Sequence, residues 1–219
     1  MFIWQEIIVA MFVTISMSAF SAHMFRFSFW KHKGSFLFAA FTMAQLSYEF
    51  HNILNWDSVF PLVSLAVQSV FTNIILKVGK LRALMMVLIG MLVYTVLLSL
   101  VIMMVRHLSD VGYEAIVIHL EYENLIKCIT GAILGLAALV MSKYRLGFSW
   151  VSQNKGYRYH RKLQGYFSIV LALSLFFFSI SYYLVTLNLS YLAGVIFCLC
   201  ISLATMIYFL MKKEWEEET

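Results

Sequence analysis

Residues 83–105, lying between Arg82 and Arg106, contain no charged side chain and no proline. A helix needs about 20 apolar residues to cross a bilayer, and lipid tolerates no unpaired backbone, so a stretch of this kind predicts a transmembrane helix. The rest of the chain has the same texture. It is 62% hydrophobic and 12% charged and has a single proline, against about 45–50% and about 25% in soluble domains. That composition excludes a soluble globular domain, a nucleic-acid-binding module and a disordered tail. Seven spans would occupy roughly 140 residues and leave no room for a soluble catalytic domain.

The predicted class is all-α, a polytopic integral membrane protein of seven transmembrane helices. The spans fall at about 3–25, 35–54, 58–76, 83–105, 125–142, 167–187 and 190–211. A transmembrane domain at 1–211 is followed by a cytoplasmic helical tail at 212–219. Glu6 is the only charge before Arg26, so the first run lacks the positive start of a secretory signal and reads as an uncleaved anchor. With the N-terminus outside and the C-terminus inside, 14 of the 16 lysines and arginines fall on the inner side; Arg106 and Lys127 are the exceptions. This is the bias that orients helices in the cell membrane. Trp4 and Trp56 then fall at outer ends, and Trp30, Trp150 and Trp215 at or near inner ones, where indoles favour the headgroup layer.

Helices associate in lipid through close packing and polar contacts. Gly131 and Gly135 form a GxxxG pair continued by Ala138, and Ala10, Thr14, Ser18 and Ala22 line the first span. These stripes predict packing within the chain, with formation of a homodimer as the lesser alternative. Three polar faces stand out. Gln45, Tyr48, Glu49 and Asn52 share one face of the second span, Ser64, Gln68 and Thr72 one face of the third, and Ser179, Tyr182, Tyr183 and Thr186 one face of the sixth. Polar atoms avoid lipid, so these faces are expected to turn inward. They would form either ordinary helix interfaces or a cavity open to the outside. Gln45, Glu49, His51, Gln68, Tyr182 and Tyr183 are the candidate ligand contacts.

The predicted outer surface also gathers Glu6, Asp57, His107, Asp110, Glu114, His119, Glu121 and Glu123. The segment 113–123, YEAIVIHLEYE, suits a short extended stretch or an interfacial helix, and its histidine and acids match no zinc signature. An acidic vestibule would attract a cationic ligand. On the inner side, residues 143–166 mix six basic residues with aromatics, which suits anionic lipid or a cytoplasmic signalling partner. Cys128, Cys198 and Cys200 lie in apolar runs and form no CxxC pair. No HExxH, GxSxG or Walker A motif is present, and no lysine lies in the last span before Lys212 for a retinal Schiff base. No catalytic residue, metal or cofactor is expected.

From Ser190 to Glu218 nothing breaks a helix, so the last span should run on past Lys212 and Lys213. With the stretch SKYRLGFSWVS after the fifth span, the final hairpin and the exit MKKEWEEE, the chain resembles the sensor region of Agr-type peptide-pheromone histidine kinases. That resemblance implies a membrane region that senses a secreted peptide and passes a shift down its exit helix. The phosphoacceptor and ATP-binding elements of such kinases do not occur in this sequence. The expected function is therefore a multi-pass sensor or receptor for an extracellular ligand. The alternatives are an accessory subunit of a membrane complex, or a small transporter or membrane-embedded enzyme.

Overall fold

A computed structural model describes residues 2–54, 56, 59–109, 120–148, 172, 174–176 and 192–218. The regular elements among the described residues are all helices, without strands. The long helices are α1 (Phe2–Met24), α2 (Lys33–Tyr48), α3 (Phe60–Leu76), α4 (Lys80–Ser109), α5 (Leu120–Tyr144) and α6 (Leu192–Glu218). Four segments, Trp4–Met24, Lys80–Val105, Tyr122–Tyr144 and Gly194–Lys212, are long and apolar enough to cross a membrane. The expected sixth span at 167–187 lies almost wholly outside the described residues.

α4 is the centre of the bundle. Residues 85–92 are buried on every side, as expected of a helix that is apolar all round. It packs against α1, α3, α5 and α6. α1 forms the other main contact, with α5 on one flank and α2 on another. The α1–α5 contact is close because Gly131 and Gly135 face it. A Cβ at Gly131 would lie 3.0 Å from the Phe12 ring, and one at Gly135 3.4 Å from Ser16 Oγ. α4 approaches α1 through Gly90, where an added Cβ would overlap Ser21 Oγ.

α2 and α3 form a shorter pair. α2 is continued by a π turn over Glu49–Ile53, with Leu54 N–H donating to the Glu49 carbonyl at 3.0 Å. α3 is a 17-residue helix with Pro61 in its first turn, where a missing N–H matters least. At one end of the pair Phe50, His51, Trp56 and Phe60 cluster, His51 lying 4.9 Å from the Phe60 ring. At the other end Phe29 stacks on Phe36 at 4.9 Å and packs with Ala22. α2 therefore lies antiparallel along α1 over nearly its full length.

The two ends of the bundle differ in chemistry. One carries Glu6, Glu49 and Glu123. The other carries Arg26, Lys31, Lys33, Lys77, Lys80, Arg82, Lys143 and Arg145. α1 and α5 both finish at the basic end in the same hydrogen-bonded cap. Phe27 N–H reaches the Ala22 carbonyl at 2.9 Å, and Leu146 N–H the Met141 carbonyl at 3.1 Å. The left-handed residue in these caps is Arg26 (φ 56°) and Arg145 (φ 52°), and Lys77 (φ 53°) plays the same part after α3. Glycine is the usual occupant of that position.

The chain after α5 folds back onto the end of α1. Phe148 N–H donates to the Met24 carbonyl at 2.7 Å, and the Phe148 ring lies 6.0 Å from that of Phe25, which is fully buried. Gly147 makes this return with φ 139°.

Candidate polar seam and acidic rim

Serine and threonine within these helices satisfy their own hydroxyls. Thr14, Ser69, Thr95, Ser99 and Thr130 each donate to the carbonyl four residues earlier, at 2.6–2.8 Å. Such residues can face a neighbouring helix at little cost, because no polar atom is stranded. Ser202 of α6 is buried without a hydrogen-bond partner among the described residues.

Between α1 and α3, by contrast, polar side chains meet across helices. The face formed by Ser64, Gln68 and Thr72 is buried, and Gln68 is only 6% exposed. Gln68 Nε2 donates to Ser18 Oγ at 3.2 Å. Beside this bond lies a small cavity among α1, α2, α3 and α4, lined in part by Ser18, Ser21, Gln68 and Thr72. Its empty space is about 210 Å³ including the opening, and the enclosed part fits about one water-sized group. Other lining residues are Ala22, Phe36 and Leu76, so it lies toward the basic end. The gap lies beside Ser18 and Ser21, the small polar residues of α1 in its lining. The alternative of a chamber open to the outside also involves the sixth-span face at 179–186, which lies outside the described residues.

The second span's polar face is corrected in direction. Gln45 and Glu49 are exposed rather than turned inward. α2 instead uses its small residues, Ala39, Ala40 and Ala44, with Phe36 and Met43, to reach its neighbours. Close backbone approach favours that side over the polar one. The π turn then changes the direction of the last residues. Within it Asn52, itself exposed, donates from Nδ2 to Glu6 Oε2 of α1 at 3.1 Å. His51 is half-buried beside Phe60. Glu6, His51 and Asn52 thus form a rim at the acidic end of the α1–α2 contact. Wider π turns of this kind occur often at functional sites.

Tyr182 and Tyr183, and most of the acidic loop 113–123, lie outside the described residues. Glu123 pairs with Lys127 one turn along α5 at 2.6 Å. Cys128, Cys198 and Cys200 are free thiols. Among the described residues no group of His, Cys, Asp and Glu converges as a metal site. The sequence reading named Glu6 and Asn52 separately and missed that they meet. Only the π turn joins them, and it has no sequence signature. The close approach of α4 to α1 at Gly90 had a faint signal, since Gly90 is the only glycine in 83–105.

These features, an all-helical bundle with four helices fit to cross a membrane, define the class of the protein. No protein-family model matches the sequence, and neither a curated protein nor a solved structure is significantly similar to it.

Proposed function

We propose that the protein is a seven-span sensor of the cell membrane, with its N-terminus outside, its basic end inside, and α6 as the reporting element. The observation that carries this reading is α6 itself. It is one unbroken helix from Leu192 to Glu218 and passes beyond Lys212, where its apolar segment ends. Among the described helices its main neighbour is α4. A helix held chiefly along one side and continuous across the membrane border can translate or rotate as a unit. The resemblance to peptide-pheromone sensor regions points the same way.

In this reading the ligand is an extracellular peptide or a cationic small molecule, drawn to the acidic end by Glu6 and its neighbours. The rim of Glu6, His51 and Asn52 receives it, and the α1–α3 seam at Gln68 and Ser18 adjusts beneath. Gln45 and Glu49 are exposed on the side of α2 away from α1 and α3 and take no part in this rim. Tyr182 and Tyr183 remain proposed contacts. Binding shifts the balance between two packings of α6 on α4.

The test places nitroxide labels at Lys80→Cys and Lys212→Cys, both exposed, in a background without native cysteines. Distances are read in nanodiscs with and without the secreted peptide fraction of the producing culture. A sensor shows a changed distance distribution that Asn52→Leu abolishes. Solute flux in liposomes, with distances unchanged, would refute the reading in favour of a transporter.

A further inference from the structure

The outward face of α2 is unusual for a helix that, in the proposed topology, crosses the bilayer. Gly34, Phe38, Phe41, Gln45 and Glu49 follow alternating steps of four and three or four residues, so they share one stripe. All five are exposed, with Phe38 at 65% and Phe41 at 43%. The opposite side of α2 is buried on α1 and α3. No atom approaches within 4 Å of the place a Gly34 Cβ would occupy. The side chains of Gln45 and Glu49 make no hydrogen bond or ion pair within the chain among the described residues.

Depth makes the stripe informative. At about 1.5 Å per residue, Gln45 lies about 18 Å and Glu49 about 24 Å along α2 from Lys33 at the basic end. The hydrocarbon layer is about 30 Å thick. With α2 crossing the bilayer, Gln45 stands near its middle and Glu49 short of its far border. Polar groups at these depths belong against protein or water, not lipid tails. The flanking Phe38 and Phe41 keep the stripe apolar on the basic side.

We propose that this stripe docks one membrane-spanning helix of another protein. That helix carries an amide or hydroxyl at the depth of Gln45 and a lysine or arginine about one turn nearer the acidic end, opposite Glu49. Charge complementarity selects this occupant over a second copy. A two-fold pair about the membrane normal would satisfy Gln45 with itself but would set Glu49 against Glu49, where low dielectric strengthens repulsion. The helix seam resembles the apolar seams of coiled coils, in which one polar residue fixes register. The proposal rests on the seven-span topology proposed above, in which α2 crosses the bilayer, but not on the ligand of the rim: a failed ligand response leaves helix docking testable, and failed docking leaves the rim untouched.

The full chain, donor-labelled in liposomes, is titrated with acceptor-labelled synthetic helices of about 20 leucines. One helix carries Asn at mid-length and Lys one turn outward, a second carries Glu in place of Lys, and a third is leucine alone. The Asn–Lys helix should transfer energy most strongly. Gln45→Leu should weaken its binding about 3- to 20-fold, the range for one interhelical hydrogen bond. Glu49→Lys, an exposed change that leaves the core intact, should switch preference to the Asn–Glu helix. Equal binding of the leucine helix, or no switch with Glu49→Lys, would overturn the proposal. Stronger transfer between two copies of the chain than to any helix, lost in Gln45→Leu, would also overturn it and assign the stripe to self-association.

Discussion

Replacing Gly147 with alanine is the sharpest test of how the basic end is closed. Gly147 has φ 139°, a region that side-chain-bearing residues rarely adopt, and holding alanine there costs about 1–3 kcal/mol. The added Cβ would overlap the Met24 carbonyl oxygen and lie 2.9 Å from the His23 carbonyl oxygen. Both are backbone atoms at the end of α1, so no rotamer change relieves the overlap. Retreat of the loop would break the hydrogen bond from Phe148 N–H to the Met24 carbonyl, worth about 0.5–1.5 kcal/mol. Together these give a loss of about 1.5–4.5 kcal/mol, or about 10- to 2,000-fold in the unfolding constant. Unfolding by SDS in mixed micelles, followed by circular dichroism, measures it. Gly194→Ala is the control, because its Cβ would meet nothing within 4 Å and alanine is the better helix former. If Gly147→Ala unfolds no more readily than Gly194→Ala, the loop is not seated on α1 as described.

Gly90→Ala should destabilise by about 1–3 kcal/mol through overpacking against Ser21, and Ser21→Ala in the same chain should recover at least half of the loss; additive effects would refute direct contact. Gln68→Leu should cost about 0.6 kcal/mol, and less than about 1.7, because a single interhelical hydrogen bond in a bilayer is worth no more. A larger loss in the same titration would mean that Gln68 holds more than Ser18.

Much of the architecture was legible in the sequence, because a bilayer constrains a helix more strongly than packing does. The expected fourth span at 83–105 sits inside α4, and the unbroken pattern from Ser190 to Glu218 sits with α6. α4 exceeds the expected span because helix continues past the apolar segment to Ser109, which hydropathy alone does not register. α2 and α3 were harder to read, since Lys33–Tyr48 and Phe60–Leu76 are short for a span. The polar residues carried mixed information. Ser64, Gln68 and Thr72 turn inward together, as spacing and lipid avoidance required. Gln45 and Glu49 do not, because spacing identifies a face without saying which neighbour it meets. α2 has two stripes that suit contact, and the alanine stripe is the one this chain uses. Gly147 was not legible at all, since its role depends on a loop returning to a helix more than a hundred residues earlier.

The three left-handed residues at the basic end join local structure to orientation. Arg26, Lys77 and Arg145 occupy positions where glycine would avoid about 1–2 kcal/mol of steric cost each. Part of that cost is offset, because a cation at a helix C-terminus gains about 0.3–1 kcal/mol from the dipole. Folding stability alone therefore does not explain the choice of arginine and lysine. Membrane insertion does, since each cation lies immediately after a helix that ends on the proposed inner side, where it acts most strongly on orientation. Replacing all three by glycine should leave unfolding in micelles unchanged or raise stability by up to about 5 kcal/mol. The same variant should insert in both orientations, read by labelling single cysteines at Trp4 and Lys31 with an impermeant maleimide in intact cells. A variant that is more stable yet labels only at position 4 would show that the remaining lysines suffice. The left-handed cations would then be helix caps without a role in orientation.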